Sequence, residues 1–404
     1  MTPVSIPGIR IGTVGAGIRY KDRDDLALVE IDEGAAVAAV FTRNAFCAAP
    51  VTLARRHLAA FANADRGKAY LLINAGNANA GTGAQGLADA KTTCALVAEH
   101  AGCALASVLP FSTGVIGAAL PVAAFRTGIP SALAALSEAP EAWDRLARAI
   151  MTTDTVPKCV TVAFVSDGRE YHITGVAKGA GMIRPDMATM LSFIGTDAPL
   201  DATQCQQALQ RAVDRTLNRV TVDGDTSTND ACVLIATGAT DAQARMLDAA
   251  GLDQFADALE MLTEQLARAI ARDGEGATRL VVVEVSGGRD EAECAQTAFT
   301  VAESPLVKTA LYAADPNWGR ILAAVGRAGI EALDIDRVDL TLGEIPVLRH
   351  GQPDPGYHEP DAAAYMQGEE VWIRVQLGRG EARARVFTCD FSEAYVRINA
   401  EYRS

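Results

Sequence analysis

The chain has 404 residues, enough for two to three domain-sized cores, and its 49% hydrophobic and 21% charged fractions are those of a soluble globular protein. A net charge of −14 argues against a nucleic-acid partner, since broad neutralisation of phosphates needs the opposite sign. No apolar run is long enough to span a bilayer, and the start MTPVSIPGIR lacks a basic stretch followed by an apolar one, so neither a membrane partner nor a secretory leader is expected and the cytoplasm is the expected compartment.

The 8 Cys and 5 His are scattered singly, without a CxxC pair or zinc-like spacing, so reduced thiols and no metal or cofactor are expected. Leu26–Ile31 and Ala36–Phe41 read as strands parted by Asp32-Glu33-Gly34. Pro50–Ala62 reads as a helix, with Val51, Leu53, Ala54, His57, Leu58 and Phe61 at near-helical spacing and Pro in the first turn. Tyr70–Asn74 is a strand, and a polar loop runs on through Asn79. Gly81–Gly86, GTGAQG, matches a dinucleotide fingerprint and precedes a helix over Leu87–His100. We reject that reading. Gly81 lies seven residues beyond Asn74, so the tight strand–turn–helix is missing, and no second strand ending in an acidic residue follows about twenty residues later. Val108–Phe111 leads into Ser112-Thr113-Gly114-Val115-Ile116-Gly117, which reads as a turn because its glycines permit shapes that other residues resist. A helical region, Ala119–Leu136, follows.

Glu141–Ile150 is a short helix that ends at Met151-Thr152-Thr153-Asp154-Thr155, hydroxyls of the kind that cap or turn. Val160–Val165 and Tyr171–Val176 form a hairpin about Ser166-Asp167-Gly168 and deliver the chain to Lys178. Lys178–Ser192, KGAGMIRPDMATMLS, is the most distinctive stretch. Pro185 forces Arg184 toward an extended shape, and Met190–Ile194 is an apolar run of strand length closed by Gly195. Thr189 therefore stands at the mouth of a buried strand. Such a Thr is ordinarily a β-branched residue suited to a sheet; it is also where a rigid element would hold a nucleophile.

Ala202–Val213 is helical. The loop at 218–230, NRVTVDGDTSTND, carries Asp223, Asp225 and Asp230 and invites a calcium reading, but the EF-hand spacing is not met. We read it as a hydrogen-bonded loop near the active site. Ala231–Ala236 is a buried strand, and Phe255, Leu259, Leu262, Leu266 and Ile270 trace one face of a long helix. That helix ends at Arg272–Arg279, with Glu275 between two glycines in what alone is a solvated turn. Leu280–Val285 is a strand and Asp290–Val301 a helix. Pro305 starts a helix, Pro316 breaks it and Trp318 starts another, a region expected for packing and subunit contact, with Lys308 and Arg320 as weaker site candidates. Val338–Leu342, Val371–Leu377 and Ala382–Thr388 are strands. The tail Tyr395–Ser404 would ordinarily fray.

The run MIRPDMATML at 182–191 resembles the self-cleavage site of the ornithine acetyltransferase family, also called bifunctional glutamate N-acetyltransferase, and the resemblance extends along the whole chain. It implies an α/β (α+β) fold of mixed β-sheets layered with helices, DmpA/ornithine-acetyltransferase-like, cut between Ala188 and Thr189. The fragments would be an α chain, 1–188, with the oxyanion hole and part of the substrate pocket, and a β chain, 189–404, with the terminal Thr nucleophile and a substrate-binding tail. The resemblance makes Thr189 the nucleophile, and Thr113 and Gly114 the oxyanion hole, a hydroxyl and a backbone N–H suited to a developing alkoxide. It also makes Thr152 or Thr153, Lys178, Glu275, Asn399 and Ser404 substrate ligands, with Lys178 on the carboxylate and Glu275 on the amino group. The implied reaction carries acetyl from N-acetylornithine to glutamate by ping-pong transfer in arginine biosynthesis, with acetyl-CoA as an open alternative donor. Two copies of each fragment are the implied assembly. A self-processed amidase or aminopeptidase, in which water accepts the acyl group, is the alternative; a noncatalytic nucleotide-binding α/β protein is the distant one.

Overall fold

Aliphatic strands dominate the first half because the chain must fill both faces of two stacked sheets. The computed structural model describes residues 2–62, 67–184, 190–238 and 245–401. Contacts divide them into two compact units: residues up to Gly179 with 190–218, 226–238 and 245–266, and a second made of 180–184, 219–225 and 267–401.

The first unit holds, in chain order, β1 (Ile9–Val14), β2 (Leu26–Ile31), β3 (Ala36–Phe41), α1 (Ala49–Ala62), β4 (Ala69–Asn77), α2 (Gly83–Ala101), β5 (Val108–Val115), α3 (Val122–Ala134), α4 (Glu141–Ala149), β6 (Lys158–Ser166), β7 (Arg169–Lys178), β8 (Leu191–Thr196), α5 (Ala202–Arg215) and β9 (Ala231–Ala236), with α6 (Ala249–Arg272) carrying the chain out. One sheet has the order β1-β2-β4-β5 and the other β3-β9-β8-β7-β6. Side chains alternate across a strand, so each strand serves two layers. In β2, Ala27, Val29 and Ile31 join the core shared with the second sheet, whereas Leu26 and Leu28 pack toward α2 and α3. The sheets meet at Phe111 and Phe193, whose rings touch edge-on at 5.2 Å, a geometry that adds about 1 kcal/mol to area burial. On the outer side of the second sheet, Phe164 meets Phe255 of α6 at 5.8 Å. The layering is helix, sheet, sheet, helix.

The second unit holds β10 (Leu280–Gly288), α7 (Glu291–Ala302), α8 (Pro305–Tyr312), α9 (Trp318–Gly326), β11 (Asp339–Leu342), β12 (Ile345–Arg349), β13 (Gln352–Pro353), α10 (Glu359–Met366), β14 (Glu370–Gln376), β15 (Ala382–Cys389) and α11 (Glu393–Glu401). Its sheet runs β13-β12-β11-β14-β10-β15, with β10 and β14 parallel at the centre. Val281, Val283 and Val285 of β10 point to the same side as Ala298 and Val301 of α7, and all are buried in one cluster.

This is the expected mixed fold of sheets layered with helices, with differences of detail. β1 escaped the sequence reading because glycine and polar residues interrupt IRIGTV; pairing with β2 from Ile9↔Ile31 to Val14↔Leu26 forms it. Ser112–Val115 is not a turn but the end of β5, held in register with Asn74–Asn77 of β4. Asn74–Asn77 likewise continues β4 instead of looping. The tail is helical through Glu401. No helix among the described residues is long and apolar enough to cross a membrane.

Candidate active site

In the first unit the parallel pair β4–β5 sets Thr113 opposite Ala75 and Gly114 opposite Gly76. Thr113 Oγ1 accepts a 3.2 Å hydrogen bond from Lys178 Nζ, at the end of β7, and both residues are buried. Two sequence candidates, an oxyanion-hole Thr and a carboxylate-binding Lys, thus meet. Gly114 has φ +132°, and a Cβ there would lie 2.2 Å from the Gly76 carbonyl carbon, so only glycine fits.

The backbone around this pair is tied down by amides that the sequence reading took as loop polarity. Asn74 Oδ1 accepts from Ser112 Oγ at 2.6 Å, and its Nδ2 donates to Asn77 O. Asn229 Nδ2 donates to Ala78 O at 2.6 Å and to Ser112 O at 3.0 Å, directly before Thr113. The loop read as near the site is so where Asn229 is concerned. Asn79 reaches Gly86 O at 2.9 Å and accepts from Thr82 Oγ1 at 2.8 Å, so the glycine-rich stretch is spent on the entry to α2.

Two buried carboxyls flank Lys178; the sequence reading gave Asp154 no role and weighed Asp230 only within a calcium reading that it set aside. Asp154 accepts from Lys158 Nζ and Gly179 N, each at 2.7 Å, and from Thr152 N at 3.0 Å. Burial alone would raise its pKa, but Lys178 and Lys158 overcome that and hold it at about 2. Asp230, just before β9, is the reverse case. Burial pushes it well above the carboxylate range against the opposing pull of Ser227 and Lys178, and its Oδ2 has no hydrogen-bond partner. A single Asp in TTDT or TNDA carries no sequence signal of burial; only the fold reveals it. Thr152 is placed by Asp154, and Thr153 is half-buried beside it.

In the second unit Glu275 is 7% exposed, not solvated, and its N donates to Ala180 O at 2.8 Å. Asn399 Nδ2, on α11, donates to Glu275 Oε2 at 2.8 Å, so these two candidates also meet, and the tail does not fray there. Asp390 braces the Glu275 loop through Thr278 N at 2.8 Å, Thr278 Oγ1 at 2.7 Å and Arg279 N at 3.1 Å. Asp223 accepts from Met182 N at 2.6 Å and Ile183 N at 2.9 Å, and burial raises its pKa. Tyr395 is also raised, by burial and then by Asp223 and Glu275. Lys308 is fully buried, with its ammonium on Thr388 Oγ1 at 2.9 Å, on Cys389 O and over the Phe391 ring; it supports the wall behind Asp390. Arg320 is spent on Leu306 O and Thr309 Oγ1 near the surface. Ala188, Thr189 and Ser404 lie outside the described residues. Among the described residues no cluster of His, Cys, Asp and Glu could hold a metal ion, and all eight Cys are free thiols.

A family model described as the ArgJ family matches residues 10–404. The chain belongs to the ArgJ family. Its curated ArgJ relatives include the arginine biosynthesis bifunctional protein ArgJ of Methylococcus capsulatus, 52% identical over 99% of this chain and 96% of the relative. The protein of the same name from Psychrobacter arcticus is 50% identical over 99% and 97%. Among solved ArgJ structures, that of the Bacillus halodurans protein is 42% identical over 52% of this chain and 99% of its own, with a TM-score of 0.49.

Proposed function

We propose that this ArgJ-family enzyme is a self-processed acetyltransferase that moves acetyl from N2-acetyl-L-ornithine to L-glutamate. The observation that carries the reading is the family match from residue 10 to the last residue, supported by the Thr113–Lys178 contact. In the first stage the Thr189 hydroxyl attacks the Ala188 carbonyl, the amide becomes an ester, and water releases the fragments 1–188 and 189–404. The second stage uses the freed α-amine of Thr189, a group with an ordinary pKa of about 7.7–8.0, as base for its own hydroxyl.

The alkoxide adds to the acetyl carbonyl of acetylornithine. Thr113 Oγ1 and Gly114 N–H receive the oxyanion, which suits the burial of Thr113 and the fixed register of Gly114. Ornithine leaves with the proton held by the Thr189 amine, and an acetyl ester remains. The glutamate amine attacks that ester, acetylglutamate leaves, and the hydroxyl is restored. Lys178 and Thr152 or Thr153 serve the bound amino acid, as do Glu275, Asn399 and Ser404. The curated relatives carry the word bifunctional in their names, and we extend the proposal to acetyl-CoA as a second donor to the same hydroxyl. The working form comprises two of each fragment in the cytoplasm.

Intact-mass analysis and transfer of radiolabelled acetyl test the reading. Two chains, the second starting at Thr189, and label in acetylglutamate are expected, with Thr189→Ala a single inactive chain. A fully active uncut chain, or label only in free acetate, overturns it.

A further inference from the structure

Asp154 has no part in the mechanism above, yet its carboxylate gathers three donors from three stretches of chain. Lys158 Nζ comes from β6, Gly179 N directly follows Lys178, and Thr152 N opens the pair of threonines. The side chains of Asp154 and Lys158 are 0% and 1% exposed, so the pair has given up its water on both sides. A pair kept only for packing needs no more than its own two charges. Here the same carboxylate also fixes backbone on either side of the substrate candidates, and it acts on a second cation, Lys178.

We propose that Asp154 is a positioning residue of the transferase site, fixing the backbone at Gly179 and Thr152 and so holding Lys178 in place for the substrate carboxylate. The inference rests on Lys178 meeting that carboxylate, as proposed above. The described groups around Lys178 include the Thr113 hydroxyl on β5, Asp154 and Lys158 at the entry to β6, and Asp230 at the start of β9.

The test compares processed Asp154→Asn, Asp154→Asn/Lys158→Met and Lys178→Met. With Asp154→Asn, KM for both acetylornithine and glutamate should rise about ten-fold, a loss of one charge-assisted contact, with a smaller change in kcat. The double variant removes both buried charges together and so guards the fold; it should show the same kinetic changes with little loss of thermal stability. Unaltered KM in the double variant overturns the role of Asp154, as does loss of folding in both Asp154 variants. If Lys178→Met leaves KM unaltered, the assignment of Lys178 fails instead.

Discussion

Gly114→Ala is the sharpest mechanical test of the oxyanion strand. The new Cβ would stand 2.2 Å from Gly76 C, 2.5 Å from Asn77 N and 2.6 Å from Gly76 Cα, all backbone atoms of β4 that no rotamer change can move. Ordinary carbon contacts need about 3.5 Å, so β4 and β5 must part by about 1 Å. The φ of +132° adds strain for any L side chain. Overpacking of this kind costs about 1–3 kcal/mol and the backbone strain about 1–2 kcal/mol, together about 2–5 kcal/mol. For a unit of this size that is a fall in melting temperature of about 10 °C. Gly117→Ala is the control: its φ is +82° but nothing lies within 4 Å of the added methyl, so only the backbone strain applies and the fall should be a few degrees. Displacing the Gly114 amide by about 1 Å should also lower turnover about 100-fold. Scanning calorimetry and acetyl-transfer kinetics on both variants decide the matter. Equal melting temperatures for Gly114→Ala and Gly117→Ala, or normal turnover in the former, would refute the reasoning.

Thr113→Ala should lower kcat about 100- to 1,000-fold while KM changes little, since an oxyanion donor acts in the transition state; a change confined to KM would assign Thr113 to ground-state binding. Asp154 should stabilise the fold at neutral pH and lose that contribution in acid. Its folded pKa of about 2 lies below the ordinary 3.8, so the contribution, about 2 kcal/mol, is full above pH 4 and fades as pH falls through 2. Urea midpoints measured from pH 5 to pH 2 should therefore fall less steeply for Asp154→Asn than for the parent. Truncation after Ile398 removes Asn399 and should raise KM for both substrates while gels still show normal processing; unaltered kinetics would remove the tail from the site.

The strands were legible where apolar runs were pure, as in Ala231–Ala236, because a strand buried on both faces leaves no ambiguity. They were not legible where pairing overrides composition. Thr113 and Gly114 read as a turn because glycine weakens a strand in isolation, yet the parallel register with β4 holds them extended. Glu275 read as solvated because two glycines flank it; its burial depends on Ala180 and on Asn399, which lies 124 residues away in sequence. The site residues came from resemblance, residue by residue. What no pattern could supply were the burial of Asp230, the reach of Asn229 to Ala78 O and Ser112 O, and the contact of Asp154 with Gly179 N, each of which depends on the fold.

The sheet of order β3-β9-β8-β7-β6 bears on how the enzyme ages. A cut between 188 and 189 leaves β3, β6 and β7 on one polypeptide and β8 and β9 on the other, joined by ladders from Ile173↔Thr196 to Lys178↔Leu191 and from Ala36↔Ala236 to Phe41↔Ala231. Before the cut, the tether keeps these strands at a high effective concentration. Afterwards a fully unfolded molecule has to find its other half by diffusion, and recovery from heat or urea becomes dependent on dilution. Under the proposed cleavage, freshly made, uncut chains would refold alone, and cut ones only in company.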